Sequence, residues 1–329
     1  MNIQTLLDEY LEDIILEKNQ SKKTQENYQH YLSRFTAFIG PGKEMSDITM
    51  DIVKKFRLYL DAFLDKNRAP LSKKTQSYHV IALRAFLKYA TRKDIETLAP
   101  EKISIGKSEG REVDYLSREE LDRLFASTLE VFERACEYID TSPYAKEKER
   151  RKAEKELVYL RDRAILEMLY STGVRVSELC SMNCAQVDLV RREFSVLGKG
   201  RKRRIVFLSE IAVGHVQAYL NKRHDSCPAL FLNHSRNRKN TDQIHDAEDR
   251  RLTTVSIESI VRKYAEAAGI IKKVTPHVLR HSFATELLMN GADIRSVQEL
   301  LGHASITTTQ IYTNVTDKHL KEVFDRFHK

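Results

Sequence analysis

The first hundred residues contain four runs in which apolar side chains recur every three or four positions, the spacing of an amphipathic α-helix. Each such helix has to bury its apolar face against a neighbour, so four of them in succession predict a small helical domain. The apolar positions of the four runs are Leu6, Leu7, Tyr10, Leu11 and Ile14; Tyr28, Tyr31, Leu32, Phe35 and Phe38; Ile52, Val53, Phe56, Leu60 and Phe63; and Leu83, Phe86, Leu87 and Ala90. We therefore predict an amino-terminal four-helix domain over residues 1–105.

Two of these helices begin with the same five residues, Ser-Lys-Lys-Thr-Gln, starting at Ser21 and at Ser72. Serine is a favourable N-cap, but two lysines in the first turn oppose the helix dipole. An external anion such as a DNA phosphate explains that placement, whereas chance reuse of a good cap is the alternative. The sequence thus predicts DNA contacts by the lysines of both starts, which are Lys22, Lys23, Lys73 and Lys74.

A charged segment with two glycines and no helical period predicts a linker over residues 106–115. The second domain, residues 116–329, begins with the capping-box pattern Ser117 to Glu120. Two strand-like runs, 193–197 and 204–208, flank a glycine-bearing loop and predict a hairpin. The cations of this loop are Lys199, Arg201 and Lys202, and we expect Arg201 and Lys202 to contact DNA. For Lys202 and for the following Arg203 and Arg204, solvated charge and DNA-backbone contact are the two interpretations.

The rest of the second domain has mainly helical patterns, including one from Val158 to Ser171. The fold class we expect is therefore mainly α, with a small antiparallel β-sheet in the second domain. The stretch 140–156 is almost entirely charged and lacks an apolar face, which indicates a solvated helix or a mobile insertion without an assigned role. Residues 233–251 are polar without periodicity and predict a surface loop.

The composition narrows the class of protein. Lysine plus arginine number 55 against 47 aspartates plus glutamates, a formal net charge of +8. That excess favours a polyanionic partner, nucleic acid first and an anionic membrane surface second. The four cysteines form no Cys-x-x-Cys pair, and the sequence has no apolar run of about twenty residues and no signal-peptide pattern. We expect a soluble cytoplasmic protein without a membrane partner.

One stretch near the carboxy-terminal end gathers four side chains suited to a phosphodiester: His277, Arg280, His303 and Tyr312. His277 and Arg280 are three positions apart in a helical pattern and so share a face. A helix that ends at Gly302 would turn His303 toward that face. An arginine fork and imidazoles can hold a phosphate while a phenol oxygen attacks it, so the combination predicts phosphoryl-transfer chemistry.

Each of these residues also has a simpler interpretation. A single His-x-x-Arg is usually a solvated helix face, and Tyr312 is one of fourteen tyrosines. His277 and His281 have the spacing of a zinc-binding helix, but Val278 stands where a metalloprotease needs glutamate. The zinc-hydrolase hypothesis is therefore weak, and it would fail if activity survives chelation.

Five motifs occur in order along the chain: Thr172-Gly-Val-Arg175, Gly198-Lys199-Gly200, His277-Val-Leu-Arg280-His281, Leu301-Gly302-His303 and Tyr312. In this order they resemble the tyrosine recombinase family, and within it the Xer-like recombinases and related integrases. The resemblance extends over essentially the whole chain. It implies an amino-terminal helical domain that clamps DNA opposite a larger catalytic domain.

The resemblance also implies a role for each motif residue. Arg175 and Arg280 would grip the scissile phosphate, and Tyr312 would attack it to form a 3′-phosphotyrosyl link. His277 would be the candidate base, Lys199 would protonate the departing 5′-oxygen, and His303 would donate a hydrogen bond to the phosphate. No metal, ATP or other cofactor is implied. Glu178 would orient Arg175, or it would be an exposed helix residue, and His281 would be a packed or phosphate-proximal helper.

The last seventeen residues after Tyr312 carry an apolar stripe: Leu320, Val323, Phe324 and Phe327. The stripe can fold back onto its own chain, or dock onto a neighbouring protomer in a homotetramer, as the resemblance suggests. The expected partner is a double-stranded recombination site. Two other functions remain open, a catalytically silent DNA-binding regulator and a type IB topoisomerase. The sequence does not separate chromosome-dimer resolution from integration of a mobile element.

Overall fold

The computed structural model describes residues 1–16, 22–65, 67–106, 114–141, 147–198, 203–234 and 248–302. The chain divides into two compact units, Met1–Arg111 and Glu112–Lys329. Most of the predicted linker lies outside the described residues. Among the described residues, no helix is long and apolar enough to cross a bilayer.

The amino-terminal unit contains the four predicted helices. Their bounds are Ile3–Leu16 (α1), Lys22–Ile39 (α2), Met50–Ala62 (α3) and Lys73–Arg92 (α4). Their apolar faces meet in one core that includes Leu6, Phe35, Phe56 and Phe86, each at most 1% exposed. Ser72 caps α4, since its Oγ accepts from the Thr75 N–H at 3.2 Å. Ser21, the cap expected for α2, lies outside the described residues.

The second unit is mostly helical, with one small antiparallel sheet. Its elements are Arg118–Asp140 (α5), Lys148–Thr172 (α6), Val176–Cys180 (α7), Val187–Asp188 (β1), Glu193–Leu197 (β2), Arg203–Phe207 (β3), Glu210–Lys222 (α8), Thr254–Ala267 (α9), Pro276–Met289 (α10) and Ile294–Leu301 (α11). The predicted mainly α fold class is confirmed. The sheet order is β1-β2-β3, with Ser195 opposite Ile205. The sequence missed β1, which is only two residues long, and placed β3 one residue too late.

Helix α6 forms the centre of this unit, because its second half is buried on nearly all sides. Ile165, Leu166, Met168 and Leu169 are all 0% exposed.

Helix α6 begins at Lys148, well before the predicted start at Val158, because strong helix formers extend it through the charged stretch. Of the two interpretations of 140–156, the described part supports a solvated helix, with ion pairs such as Lys152–Asp140 at 2.7 Å. Residues 142–146 lie outside the described residues.

The four cysteines are free thiols.

The ends of the predicted surface loop 233–251 are fixed, because Leu232 and Arg251 form a β-bridge. Residues 235–247 of that loop lie outside the described residues.

Candidate active site

Two buried or half-buried arginines meet at the carboxy-terminal end of helix α11. Arg280 Nη2 donates to the Leu301 carbonyl oxygen at 2.6 Å, and Arg175 Nη2 donates to the Gly302 carbonyl oxygen at 3.0 Å. These acceptors belong to consecutive residues, and a helix carboxy terminus carries partial negative charge that favours guanidinium groups. The tertiary structure thus brings together two arginines that are far apart in the sequence.

A tight helix end supplies the second anchor for Arg280. Helix α6 ends at Gly173, which has a left-handed φ of 58°, and Arg280 Nη1 donates to its carbonyl oxygen. A β-carbon at this position would lie 2.6 Å from Phe283 Cδ1 and 2.9 Å from Leu301 Cδ2. Glycine is strongly favoured at this turn, since both the left-handed φ value and the close contacts penalise a side chain.

Glu178 holds Arg175 and is not an exposed helix residue. It accepts from the Arg175 backbone N–H at 2.8 Å and from Arg175 Nη1 at 2.9 Å, and its side chain is only 8% exposed. Burial by itself would raise the pKa of Glu178, but hydrogen bonds from Arg204 and from the Arg175 N–H hold that pKa below its ordinary value. The carboxylate therefore stays ionised and fixes the Arg175 side chain.

Arg204 is a member of this site that the sequence did not identify. Its Nη1 and Nη2 atoms donate to the two carboxylate oxygens of Glu178, each at 2.9 Å. Its Nε donates to the Leu300 carbonyl oxygen at 3.2 Å. Neither interpretation from the sequence, solvated charge or DNA-backbone contact, describes this side chain, which is only 11% exposed.

His277 and Arg280 both lie near the start of α10, where Thr275 is the N-cap. The Nε2 atoms of His277 and His281 are 2.7 Å apart, so one imidazole donates to the other. His277 is exposed and His281 is 6% exposed. The buried imidazole thus fixes the ring of the exposed one.

Five predicted site residues belong to the second unit but not to its described part. Lys199, Arg201, Lys202, His303 and Tyr312 lie outside the described residues. Helix α11 does end at Leu301, followed by Gly302 with a left-handed φ of 63°, immediately before His303. Within the described part, Arg175 and Arg204 share the single carboxylate of Glu178, and Arg280 donates to the same helix end as Arg175. These three cations leave an excess of positive charge suited to a phosphate.

The two lysine-rich helix starts lie at opposite ends of an antiparallel helix pair. Tyr31 stacks on Tyr78, with ring centroids 6.2 Å apart, whereas Tyr28, earlier in α2, lines a cavity with Lys88 and Arg92, late in α4. An 18-residue helix such as α2 is roughly 27 Å long, so the two lysine pairs are separated by about that distance.

The surface of this helix pair is strongly basic. Helix α4 carries no acidic residue, and α2 carries only Glu26. The basic residues of the two helices are Lys22, Lys23, Arg34, Lys73, Lys74, Arg84, Lys88 and Arg92. Acidic neighbours reduce the charge of two lysines, because Lys73 Nζ lies 2.5 Å from Asp61 and Lys23 Nζ lies 3.0 Å from Glu26.

Comparison with known proteins agrees with this geometry. Residues 147–319 match the phage integrase family, and residues 5–105 match the phage integrase SAM-like domain. The chain is 32% identical to tyrosine recombinase XerD of Oceanobacillus iheyensis over 99% of each chain. It is 34% identical to tyrosine recombinase XerC of Pelotomaculum thermopropionicum, covering 98% of this chain and 97% of that protein.

Solved structures share the fold at lower identity. A XerH site-specific recombinase bound to a palindromic difH substrate has a TM-score of 0.66 at 22% identity, covering 98% of this chain and 84% of that chain. A lambda integrase dimer bound to a COC′ core site has a TM-score of 0.64 at 18% identity, covering 95% of each chain. The matches define the class of protein, a tyrosine recombinase. The chain belongs to the phage integrase family, and within it to the Xer-like recombinases.

Proposed function

We propose that this protein recombines DNA at a specific duplex site by cutting and rejoining strands through Tyr312. The observation that carries the proposal is the convergence of Arg175 and Arg280 at the end of α11. Two guanidinium groups fixed there can bind the non-bridging oxygens of one phosphate and stabilise the charge that grows in a pentavalent transition state. Planar forks suit this role better than ammonium groups.

In the proposed reaction the phenol oxygen of Tyr312 attacks phosphorus and forms a 3′-phosphotyrosyl bond. His277 accepts the phenol proton, and the bond to the 5′-oxygen breaks as Lys199 gives that oxygen a proton. His303 donates a hydrogen bond to the phosphate. The 5′-hydroxyl of a second strand then reverses the step, so the energy of the broken bond is kept and no ATP is consumed.

The amino-terminal unit would bind the duplex through the basic surface of α2 and α4. Lys22 and Lys23 would contact phosphates at one end, and Lys73 and Lys74 would do so at the other. Arg201 and Lys202, in the loop before β3, would add contacts in the second unit. Contacts to phosphates strengthen binding to DNA of any sequence. Lysines at the two ends of a long surface would therefore hold the duplex without selecting its sequence.

We further propose that the protein acts as a homotetramer on paired sites, with the carboxy-terminal helix exchanged between protomers. The lambda integrase relative was solved as a dimer on a core site, which supports assembly on DNA. The apolar stripe after Tyr312 would then find its partner in the neighbouring copy. The protein would act in the cytoplasm, on chromosome dimers or on a mobile element.

A covalent-trapping experiment tests the proposal. Genomic fragments bound by the protein are first selected to identify its site, and a nicked suicide duplex of that site is then incubated with wild type and with Tyr312→Phe. We expect a denaturant-resistant protein–DNA adduct that disappears in the variant. Absence of an adduct on every bound site would indicate the DNA-binding regulator instead, and relaxation of plasmids without paired sites would indicate a topoisomerase.

A further inference from the structure

Arg204 contacts both elements that hold Arg175, namely helix α7 and the end of helix α11. Arg204 lies on strand β3, and its guanidinium donates to Glu178 on α7 and to the Leu300 carbonyl oxygen on α11. Its side chain also packs against Gly302, where a β-carbon would lie 3.0 Å from Arg204 Cδ. A single side chain thus connects the sheet to the two elements that hold Arg175.

The geometry of the shared carboxylate shows what this connection does. Both oxygens of Glu178 accept from the Arg204 fork, whereas Arg175 reaches only one of them, Oε1, through its side-chain Nη1. Without Arg204, the carboxylate is free to turn and form its own two-bond pair with Arg175, because fork-to-fork pairing is the preferred geometry. The guanidinium of Arg175 would then be drawn toward Glu178 and away from a bound phosphate.

The charge balance around Glu178 also leaves Arg175 available to a phosphate. Glu178 carries one negative charge, and Arg204 satisfies it with two hydrogen bonds at 2.9 Å. Arg175, whose side chain is 37% exposed, therefore retains positive charge that a ligand can use. If Arg175 were the sole partner of the buried carboxylate, its charge would be largely cancelled before DNA arrives.

We infer that Arg204 is a positioning residue for catalysis: it holds Glu178 in the orientation that leaves Arg175 available to the phosphate. The inference rests on the proposed function. Arg204 also lies on the strand that follows Lys199 in sequence and packs on the helix that precedes His303.

The test measures single-turnover adduct formation at saturating suicide duplex, together with DNA affinity. For Arg204→Gln we expect the rate to fall about 10-fold or more while Kd changes less than about threefold, because the loss concerns phosphate activation and not DNA contact. Arg262→Gln is the matched control, since Arg262 is an exposed arginine on α9 of the same unit. Its rate at saturating DNA should equal that of wild type.

A double-mutant cycle separates positioning from a general structural effect. If Arg204 acts through Arg175, then adding Arg204→Gln to Arg175→Lys should cost less than about a further threefold in rate. Full additivity of the two losses would overturn the inference, as would a wild-type rate for Arg204→Gln alone.

A conservative variant covers the case in which Arg204→Gln does not fold. Arg204→Lys keeps the charge and loses the fork, and it should show the same pattern of a lowered rate with little change in Kd. A wild-type rate in a folded Arg204→Lys protein would argue against the role of the fork. If wild type and Arg262→Gln form no adduct, the proposed function itself fails. If both form it and Arg204 variants match them, only this inference fails.

Discussion

Arg175 and Arg280 donate hydrogen bonds to the carbonyl oxygens of two consecutive residues at the end of one helix. This shared anchor fixes their separation without any direct contact between two like charges. It also makes the position of both cations depend on where α11 ends.

Replacing Arg280 by lysine should lower the rate of adduct formation by about 100-fold or more. A lysine ammonium cannot bridge the Gly173 and Leu301 carbonyl oxygens and still present a planar fork to a phosphate. The measurement is single-turnover cleavage of the suicide duplex at saturating DNA. Arg295→Lys, an exposed position on α11, is the matched control, and an equal loss in both variants would contradict the role of Arg280.

Gly173→Ala should destabilise the second unit by roughly 2–4 kcal/mol, the sum of a left-handed backbone cost and overpacking against Phe283. Gly269 has a similar φ of 66°, but no atom lies within 4 Å of its added β-carbon. Gly269→Ala should therefore cost only the backbone part, about 1 kcal/mol. Urea denaturation compares the two free energies of unfolding. Equal losses would show that contact with Phe283 is unimportant.

Acidification should destabilise the second unit through His234. The Tyr219 hydroxyl accepts from the Leu232 N–H at 3.3 Å and lies 2.9 Å from His234 Nε2, within hydrogen-bond distance. Burial, followed by nearby arginines such as Arg161, lowers the pKa of His234 to about 4. The unfolded chain then binds the proton more readily, so stability is fully present above the ordinary pKa of about 6.5 and falls as pH drops toward 4.

The expected size of this effect is about 2 kcal/mol between pH 7.5 and pH 4.5, measured as the difference between wild type and His234→Gln. Urea denaturation at the two pH values gives that difference directly, because other titrating groups are common to both proteins. His224→Gln, at an exposed position, should retain the pH dependence of wild type. The same pH dependence in His234→Gln as in wild type would count against the assignment.

Replacing Lys73 and Lys74 together by alanine should weaken binding to specific and unrelated DNA alike. If both ammonium groups neutralise phosphates, the slope of log affinity against log salt should become less steep by about 2. Lys54→Ala with Lys55→Ala removes the same charge from the exposed surface of α3 and serves as the control. An equal change of slope in the control would mean that only net charge matters.

Sequence patterns located the helices because amphipathic periodicity is a local property. The four helices of the first unit and strand β2 followed from it directly. Helix boundaries were less accurate where the local sequence does not mark them. The start of α6 is an example, because charged residues with high helix propensity extend the helix before the apolar pattern begins. The two-residue strand β1 has too few positions to show any period.

The sequence by itself determined which residue types are available for phosphate chemistry and in what order, since the motifs around Arg175 and Arg280 are visible without a structure. It could not determine the role of Arg204. Strand β3 carries apolar residues on both faces, and Ile205 and Phe207 are more than half exposed while Val206 is buried. The periodicity of two therefore gave no sign of which face points inward. Only the tertiary structure decided that Arg204 faces Glu178, because pairing a buried carboxylate depends on elements far apart in the chain.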